Sequence, residues 1–439
     1  MNPTPHTTPL HITPHAAVRG TMRVPGDKSI SHRALLLGAL SSGRSDIQGF
    51  LPAADCLATL RCLRDLGVHI DEITETHLVV HGTGLSGWTE AADVLDCGGS
   101  GTTMRLLAGI LASLPFYAVL TGGALLRKRP MARVVNPLRE MGAQIWGRDG
   151  DRLPPLSIRG GSLHGIDCTL PVASAQVKSA ILLAGLQADG PTTVREPGPA
   201  RDHTERMLKA RGAALHTAGD GVIRLEPGAA LTAVDALVPG DISSAAFFIV
   251  AACLVPDSEL RIEDVGINPT RTGILDALRD MGADIALDRV REIGGEPVAD
   301  IIVRSSPLRG IAIGGETIPR LIDELPVLVL AAACAQGTTV IRDAAELRVK
   351  ETNRIETTTT ELRKLGARVA GQPDGFIIEG PARLHGTTVD SHGDHRLAMT
   401  LAIAGLLATG ETVVTDTACM DDSYPQFEAT LAAVCAGTV

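Results

Sequence analysis

In this 439-residue chain, cations and carboxylates gather in a few short stretches whose residue types suit the handling of small anions. The richest runs from Val24 to Arg33, where Asp27-Lys28-Ser29 follows a Pro25-Gly26 turn and Ser29 and Arg33 stand at i, i+4, sharing one helix face. A hydroxyl and a guanidinium on one face make a fork for a carboxylate, and Lys28 adds a point charge at the helix mouth. The stretch Cys97 to Arg105, with Gly98, Gly99, Ser100, Gly101 and Thr102, reads as a glycine-rich cradle whose backbone N–H groups can approach a phosphate or carboxylate. It lacks the lysine of a P-loop and the spacing of a dinucleotide fingerprint, which speaks against nucleotide binding. Arg127-Lys128-Arg129-Pro130 sets three cations before a proline able to open a helix.

Val349-Lys350-Glu351-Thr352-Asn353-Arg354 places Lys350 and Arg354 on either side of Glu351. A carboxylate among cations and a bound anion has a protonation state that depends on occupancy, which suits a general acid–base group. The same string also reads as a charge-laced surface helix. Asp323, ahead of Leu325-Pro326, is a second candidate base, and Asp394-His395-Arg396 offers a further cation. His392 and His395 have no third metal ligand in reach, and the eight cysteines show neither a Cys-x-x-Cys pair nor zinc spacing, so no metal site is expected.

These stretches occupy equivalent places in a repeat. Asp27-Lys28-Ser29, Ser100-Gly101-Thr102, Ser174-Ala175-Gln176, Asp241-Ile242-Ser243-Ser244, Asp323-Glu324 and Asp394-His395-Arg396 each precede a long aliphatic run, a Gly or Pro break and a short β-branched stretch. Each stands at the expected N-terminus of a helix, where unpaired N–H groups and the positive dipole end attract anions. Taken singly, each also reads as a plain cap. A second phrase recurs at Leu63 to Ile70, Leu138 to Ile145, Leu208 to Leu215, Leu278 to Ile285 and Leu362 to Val369, with Gly67, Gly142, Gly212, Gly282 and Gly366 at the fifth place. There the pattern predicts a helix ending in a left-handed cap before a strand. Each unit therefore reads helix, strand, helix, strand, with the sixth shortened at the chain end. Three units per domain follow, with Val238-Pro239-Gly240 as the crossing point: one domain spans 23–238, and a discontinuous one spans 1–22 and 239–439.

A hydrophobic content of 44% serves two cores, but aromatics are only 2%, so these cores must be close-packed Leu, Val, Ile and Ala. Few aromatic rings and a net charge of −10 argue against a nucleic-acid surface. Scattered thiols favour a reducing compartment. Met1 to Gly20 carries neither a signal nor a transit pattern, and the longest aliphatic runs fall short of a membrane span. A cytoplasmic, soluble monomer with no nucleic-acid or membrane partner is expected.

The motifs from Gly26 to Arg33, Ser100 to Arg105, Arg129-Pro130, Ser174 to Gln176, Arg348 to Arg354 and Gly393 to Arg396, in this order, resemble the 5-enolpyruvylshikimate-3-phosphate synthase (3-phosphoshikimate 1-carboxyvinyltransferase) family, from about Ile12 to Phe427. The resemblance implies an α/β fold of two inside-out barrel domains, each with three repeated βα units around buried parallel helices, closing on substrates between them. It implies transfer of the enolpyruvyl group of phosphoenolpyruvate to the 5-hydroxyl of shikimate 3-phosphate, on the shikimate route to chorismate and aromatic amino acids, without metal or organic cofactor. By match of motif, Lys28, Ser29, Arg33, Ser174, Ala175, Gln176, Arg201, Asp323 and Lys350 would bind shikimate 3-phosphate. Lys28, Gly101, Arg129, Gln176, Arg354 and Arg396 would surround phosphoenolpyruvate, with Asp323, Glu351 and Lys28 as the catalytic groups. Asp241-Ile242-Ser243-Ser244 is left without a ligand and reads as capping.

The sequence departs from the commonest pattern at Gly99, Ala175, Asp422 and the segment from Ala200 to Glu205; the last three features resemble a second branch of the family. Gly101, where some second-branch members that resist glyphosate carry Ala, implies sensitivity to that inhibitor. Ser29 after Lys28 and the absence of Cys between Leu125 and Val135 set the chain apart from UDP-N-acetylglucosamine enolpyruvyltransferase. Retention of Lys28, Asp323, Glu351 and Arg396 sets it apart from a non-catalytic binding protein on the same fold.

Overall fold

The computed structural model describes residues 9–219 and 221–438, so the expectation about Met1 to Gly20 falls partly on residues 1–8, outside the described residues. The aliphatic runs form the helices Lys28–Leu40, Gly101–Leu111, Ala175–Gly185, Ile242–Leu254, Leu325–Cys334 and His395–Leu407. Each is buried along almost its whole length. A helix that is apolar on every side is stable only when surrounded by protein. The helices Ala54–Asp65, Ala132–Glu140, His203–Ala210, Gly273–Asp280 and Arg354–Lys364 bury one side and expose the other.

The glycine phrase ends these outer helices. Gly67, Gly142, Gly212, Gly282 and Gly366 have φ of 87°, 104°, 88°, 98° and 98°. The N–H of the residue after each glycine donates to the carbonyl of Leu63, Leu138, Leu208, Leu278 or Leu362. This is the six-residue closure of a Schellman cap, so the leading Leu and the Gly of the phrase bracket one hydrogen-bonded loop.

Each full repeat contains two strands more than the helix, strand, helix, strand reading. In the second repeat, Leu95–Asp96 precedes the buried helix and pairs parallel with Tyr117–Thr121. That strand pairs antiparallel with Leu153–Arg159, which is the far arm of a hairpin begun by Gln144–Gly147. The resulting four-stranded order recurs in the other full repeats. Leading strands such as Leu95–Asp96 and Asp167–Thr169 are too short to show a period-2 pattern, which is why sequence periodicity misses them. In the first repeat the leading place is taken by Ala236–Leu237, parallel to Ser42–Gln48. In the sixth, which lacks its hairpin, Leu10–Ile12 pairs antiparallel with Thr412–Thr415, and Thr388–Asp390 lies on its other side.

The chain forms two compact units, one of Gly26–Val238 with Ile293–Glu296, the other of the described residues up to Pro25, Pro239–Glu292 and those from Pro297. The turn residues 23–25 thus group with the second unit and the hairpin tip 293–296 with the first. Each unit has its own apolar core. Aromatic contacts in the second unit centre on Phe247, Phe248, Tyr424 and Phe427, with ring centroids 5.6–6.1 Å apart. Aliphatic side chains fill most of the remainder. Burial pushes the thiols of Cys253, Cys334 and Cys419 up to about 12, which keeps them protonated and unreactive. Among the described residues, no helix is long and apolar enough to cross a membrane.

Close helix packing in the first unit depends on Gly109. A Cβ there would lie 2.2 Å from the carbonyl oxygen of Ala180 on the neighbouring buried helix. Gly109→Ala is therefore expected to destabilise the protein by about 1–3 kcal/mol, the usual cost of overpacking. Gly161→Ala, whose Cβ would meet nothing within 4 Å, should stay within about 0.5 kcal/mol of wild type in the same denaturant titration.

Candidate active site

In the first unit, three buried helices present their N-termini with side-chain caps. Asp27 accepts from the Ile30 N–H at 2.9 Å, Ser100 from Thr103 at 3.1 Å and Ser174 from Val177 at 3.5 Å. A cap satisfies one of the orphan donors and leaves the dipole end positive. Lys28 Nζ lies 3.0 Å from Asp55 Oδ2, on the first turn of the following helix. Arg33 is buried and donates to the Ser29 carbonyl at 2.9 Å, to Thr204 Oγ1 at 2.6 Å and to Ser179 Oγ at 2.9 Å. Arg201 Nη1 reaches Ser29 Oγ at 3.4 Å, so Ser29, Arg33 and Arg201 are brought together.

Gln176 joins the second and third helix starts. Its Oε1 accepts from Arg105 Nη1 at 2.5 Å, and its Nε2 donates to Thr102 Oγ1 at 2.8 Å. Arg129 closes the same corner: a Cβ on Gly101 would fall 2.8 Å from Arg129 Nη1 and 2.9 Å from Arg105 Nη1. Of the three cations before Pro130, Arg127 instead donates to the Gly122 carbonyl. Lys28, Ser29, Gly101, Arg129, Ser174, Ala175, Gln176 and Arg201 are thus at or beside helix starts of this unit, each at least partly accessible apart from Gly101.

In the second unit the organising group is Arg354, the first residue of its helix, with a side chain only 1% exposed. Its Nε and Nη2 donate to Asp394 at 2.7 and 3.1 Å, Nη2 also to Glu351 at 2.7 Å, and Nη1 to Asp323 at 3.3 Å. Burial disfavours the cation, but Asp394, Glu351 and Asp323 outweigh it and hold the guanidinium pKa above its ordinary range. Lys350 Nζ sits 3.1 Å from the same Asp323 oxygen. Asp323, Lys350, Glu351 and Arg354 therefore form one cluster.

Asp323 does not cap the helix it precedes. That place falls to Glu324, whose side chain makes no capping bond, because the short helix Thr317–Leu321 leads into this start. The Asp323 carboxylate instead turns to Lys350 and Arg354. Arg396, on the last buried helix, lies 3.9 Å from Glu324 Oε1. Ser243 Oγ donates to that Glu324 oxygen and accepts from Arg271 Nη2 at 2.8 Å. Arg271 also reaches Asp241 at 3.0 Å. The Asp241-Ile242-Ser243-Ser244 phrase, read as capping alone, therefore also anchors a buried polar chain that ends at Arg396.

Sequence reading did not find Asp55, Glu324 or Arg271 as partners, nor the buried Lys178, which pairs with Glu196 at 2.8 Å and Glu205 at 2.6 Å. Burial pushes the Glu196 carboxyl up despite the lysine beside it. Their separations along the chain follow no local period; only Glu324, named within its phrase, carried a signal.

The architecture is that of the enolpyruvyl transferases: the enolpyruvyl transferase NikO from Streptomyces tendae superposes with a TM-score of 0.78 over 97% of each chain at 20% identity. An EPSP synthase from Acinetobacter baumannii superposes with a TM-score of 0.85 at 46% identity, covering 96% of this chain and 97% of that one. The family model of EPSP synthase (3-phosphoshikimate 1-carboxyvinyltransferase) matches residues 12–431. Proteins named 3-phosphoshikimate 1-carboxyvinyltransferase from Desulforudis audaxviator and Gloeobacter violaceus are each 57% identical, over 95% and 96% of this chain and 97% and 98% of their own. The chain belongs to the EPSP synthase family, and it is an enzyme of the 3-phosphoshikimate 1-carboxyvinyltransferase class.

His32 shows how the first unit keeps its positive corner from gaining another charge. Burial first, then Lys28 and Arg33, pushes its imidazole well below its ordinary value of 6.5, and Nδ1 pairs with Thr59 Oγ1 at 2.7 Å. The unfolded chain takes up this proton as pH falls through about 6.5 while the folded state does not, so the contribution to stability is present above that pH and lost below it. His32→Asn should remove that part of the acid-side slope, at most about 1.4 kcal/mol per pH unit, as measured by denaturant unfolding between pH 5 and 8.

Proposed function

We propose that Lys28, Ser29, Arg33, Ser174, Ala175, Gln176, Arg201, Asp323 and Lys350 hold shikimate 3-phosphate, and that Lys28, Gly101, Arg129, Gln176, Arg354 and Arg396 surround phosphoenolpyruvate. Both substrates carry a carboxylate and a phosphate, and cations at helix starts suit both groups. The reading rests on one coincidence: Lys28, Arg354 and Arg396, all within the matched family span, each stand in the first turn of a helix.

Addition requires one proton to leave the 5-hydroxyl and one to reach the methylene carbon of phosphoenolpyruvate. In this reading Asp323 accepts the first and Glu351 delivers the second, with Lys28 able to assist either transfer. The hydroxyl oxygen bonds to the central carbon and gives a tetrahedral adduct. Phosphate then departs with its bonding electrons while the new methyl group loses a proton, which restores the double bond. Arg129, Arg354 and Arg396 stabilise the charge on the departing phosphate. Arg354, held by Asp394, fixes Glu351 by its second terminal nitrogen, so the acid–base group is oriented by a residue that is itself locked. The same reading takes the protein as a cytoplasmic monomer whose partners are these two small molecules, with no nucleic acid or membrane engaged.

Phosphate release from phosphoenolpyruvate tests the assignment: release is expected with shikimate 3-phosphate and not with UDP-N-acetylglucosamine. The reverse pattern would assign the sister reaction, and no release with either would favour a non-catalytic protein. Glu351→Gln should lower kcat by about 100-fold or more, the scale of losing a general acid–base group, and unchanged turnover would remove Glu351 from the chemistry.

Gly101→Ala would press a methyl group against Arg129 and Arg105, whose guanidinium ends must move. It is expected to raise both the glyphosate inhibition constant and the KM for phosphoenolpyruvate, leaving the KM for shikimate 3-phosphate nearly unchanged. Equal inhibition of wild type and variant would show that the space beside Gly101 is not used.

A further inference from the structure

We propose that His69, Asp71 and His81, on an outward face of the first unit, form a binding site for a divalent transition-metal ion of the zinc, nickel or copper type. The juxtaposition comes from the strand ladder. His69 and Asp71 are two apart on the strand His69–Thr74 and share a face, while His81, on His77–Thr83, stands directly opposite His69. The intervening Ile70 and the cross-strand Leu78 and Val80 are buried, so the ladder turns the three donors away from the core.

The donors are already close. Asp71 lies 3.2 Å from His69 Nε2 through one oxygen and 2.8 Å from His81 Nε2 through the other, and one ligand atom from each of the three residues falls within 4.8 Å of the rest. Bonds of about 2.0–2.2 Å to one ion would set such donors about 3–3.5 Å apart, so loading needs only small side-chain rotations. The side chains are 70%, 44% and 41% exposed, which permits those rotations and gives an open entry path. Two imidazoles and one carboxylate favour a borderline ion over magnesium or calcium, which require a shell of oxygens.

The neighbouring charges do not oppose this. Arg44 stands opposite His81 on the other flank, but its guanidinium donates to Asp46 at 2.8 Å, and Asp46 also takes His77 Nε2 at 2.8 Å. With three protein donors, the ion keeps at least one position for water or a small anion. None of the three residues belongs to the proposed substrate-binding set. The ion would clip one hairpin arm to the other and stabilise the first repeat without entering turnover.

The test uses full-length protein stripped of metal with a chelator, then titrated calorimetrically with zinc, nickel and, as a control, magnesium. One saturable zinc site is expected. His69→Ala and His81→Ala should each weaken zinc binding by about 10-fold or more, remove the zinc-dependent rise in Tm and leave phosphate release unchanged. Unaltered Tm of these exposed-site variants in the absence of metal checks that they fold. Absence of saturable binding in wild type, equal binding of magnesium, or zinc affinity unchanged in both variants would overturn the proposal and leave His–Asp ion pairs only.

Discussion

A buried helix cannot leave the N–H groups of its first turn without partners, and this constraint governs most of what is unusual in the protein. Six helices are buried on nearly all sides, and at five of their starts the capping-position residue is itself buried. Water cannot satisfy those donors as it does at a surface helix, so a polar side chain must be carried inward with each start. Once inside, a carboxylate requires hydrogen-bond donors of its own, and arginine follows aspartate into the interior. The clusters around Arg354 and Arg271 are the result: each guanidinium is bound to a carboxylate that also caps a helix, Asp394 and Asp241.

This double use explains why capping and ligand binding are not alternatives here. Asp394 both caps a helix and locks Arg354, which in turn aligns Glu351. Removing one member of such a buried pair leaves an uncompensated charge, typically at a cost of about 3–5 kcal/mol, far more than a surface ion pair contributes. The site's precision therefore depends on interactions that also stabilise the second unit internally. The helix start at Asp323 is the exception, because the preceding short helix frees that carboxylate from capping and makes it available to Lys350 and Arg354.

Much of the architecture was legible because the repeat is written in local signals. A polar residue before an aliphatic run marks a helix start, and a Leu four places before a Gly marks a Schellman closure; both depend on residues within one or two turns. The leading strands Leu95–Asp96, Asp167–Thr169, Ala236–Leu237 and Ala312–Ile313 were not legible: strands so short have no measurable period, and their pairing is set by the ladder they join. The same limit applies to the candidate site. Lys28, Arg33, Glu351 and Arg354 could be singled out from neighbours in sequence, but Asp55 beside Lys28, Thr204 beside Arg33 and Asp394 beside Arg354 come from other segments of the chain. Long-range pairing is decided by the packing of repeats, which no single repeat encodes.

The way the sheets are completed has a consequence for the order of assembly during synthesis. The sheets of the first unit draw only on strands between Ser42 and Leu237, so the chain can close them while its remainder is still being made. In the other unit, Arg19–Arg23 must wait for Glu259–Gly266, and Leu10–Ile12 for Thr412–Thr415. Arg19–Arg23 stays unpaired until more than half of the chain has emerged, and Leu10–Ile12 until almost all of it has; closing such long loops slows folding. A unit whose first strand completes its last sheet is vulnerable in the nascent state, and it is the unit whose core carries the Phe247–Phe427 aromatic cluster.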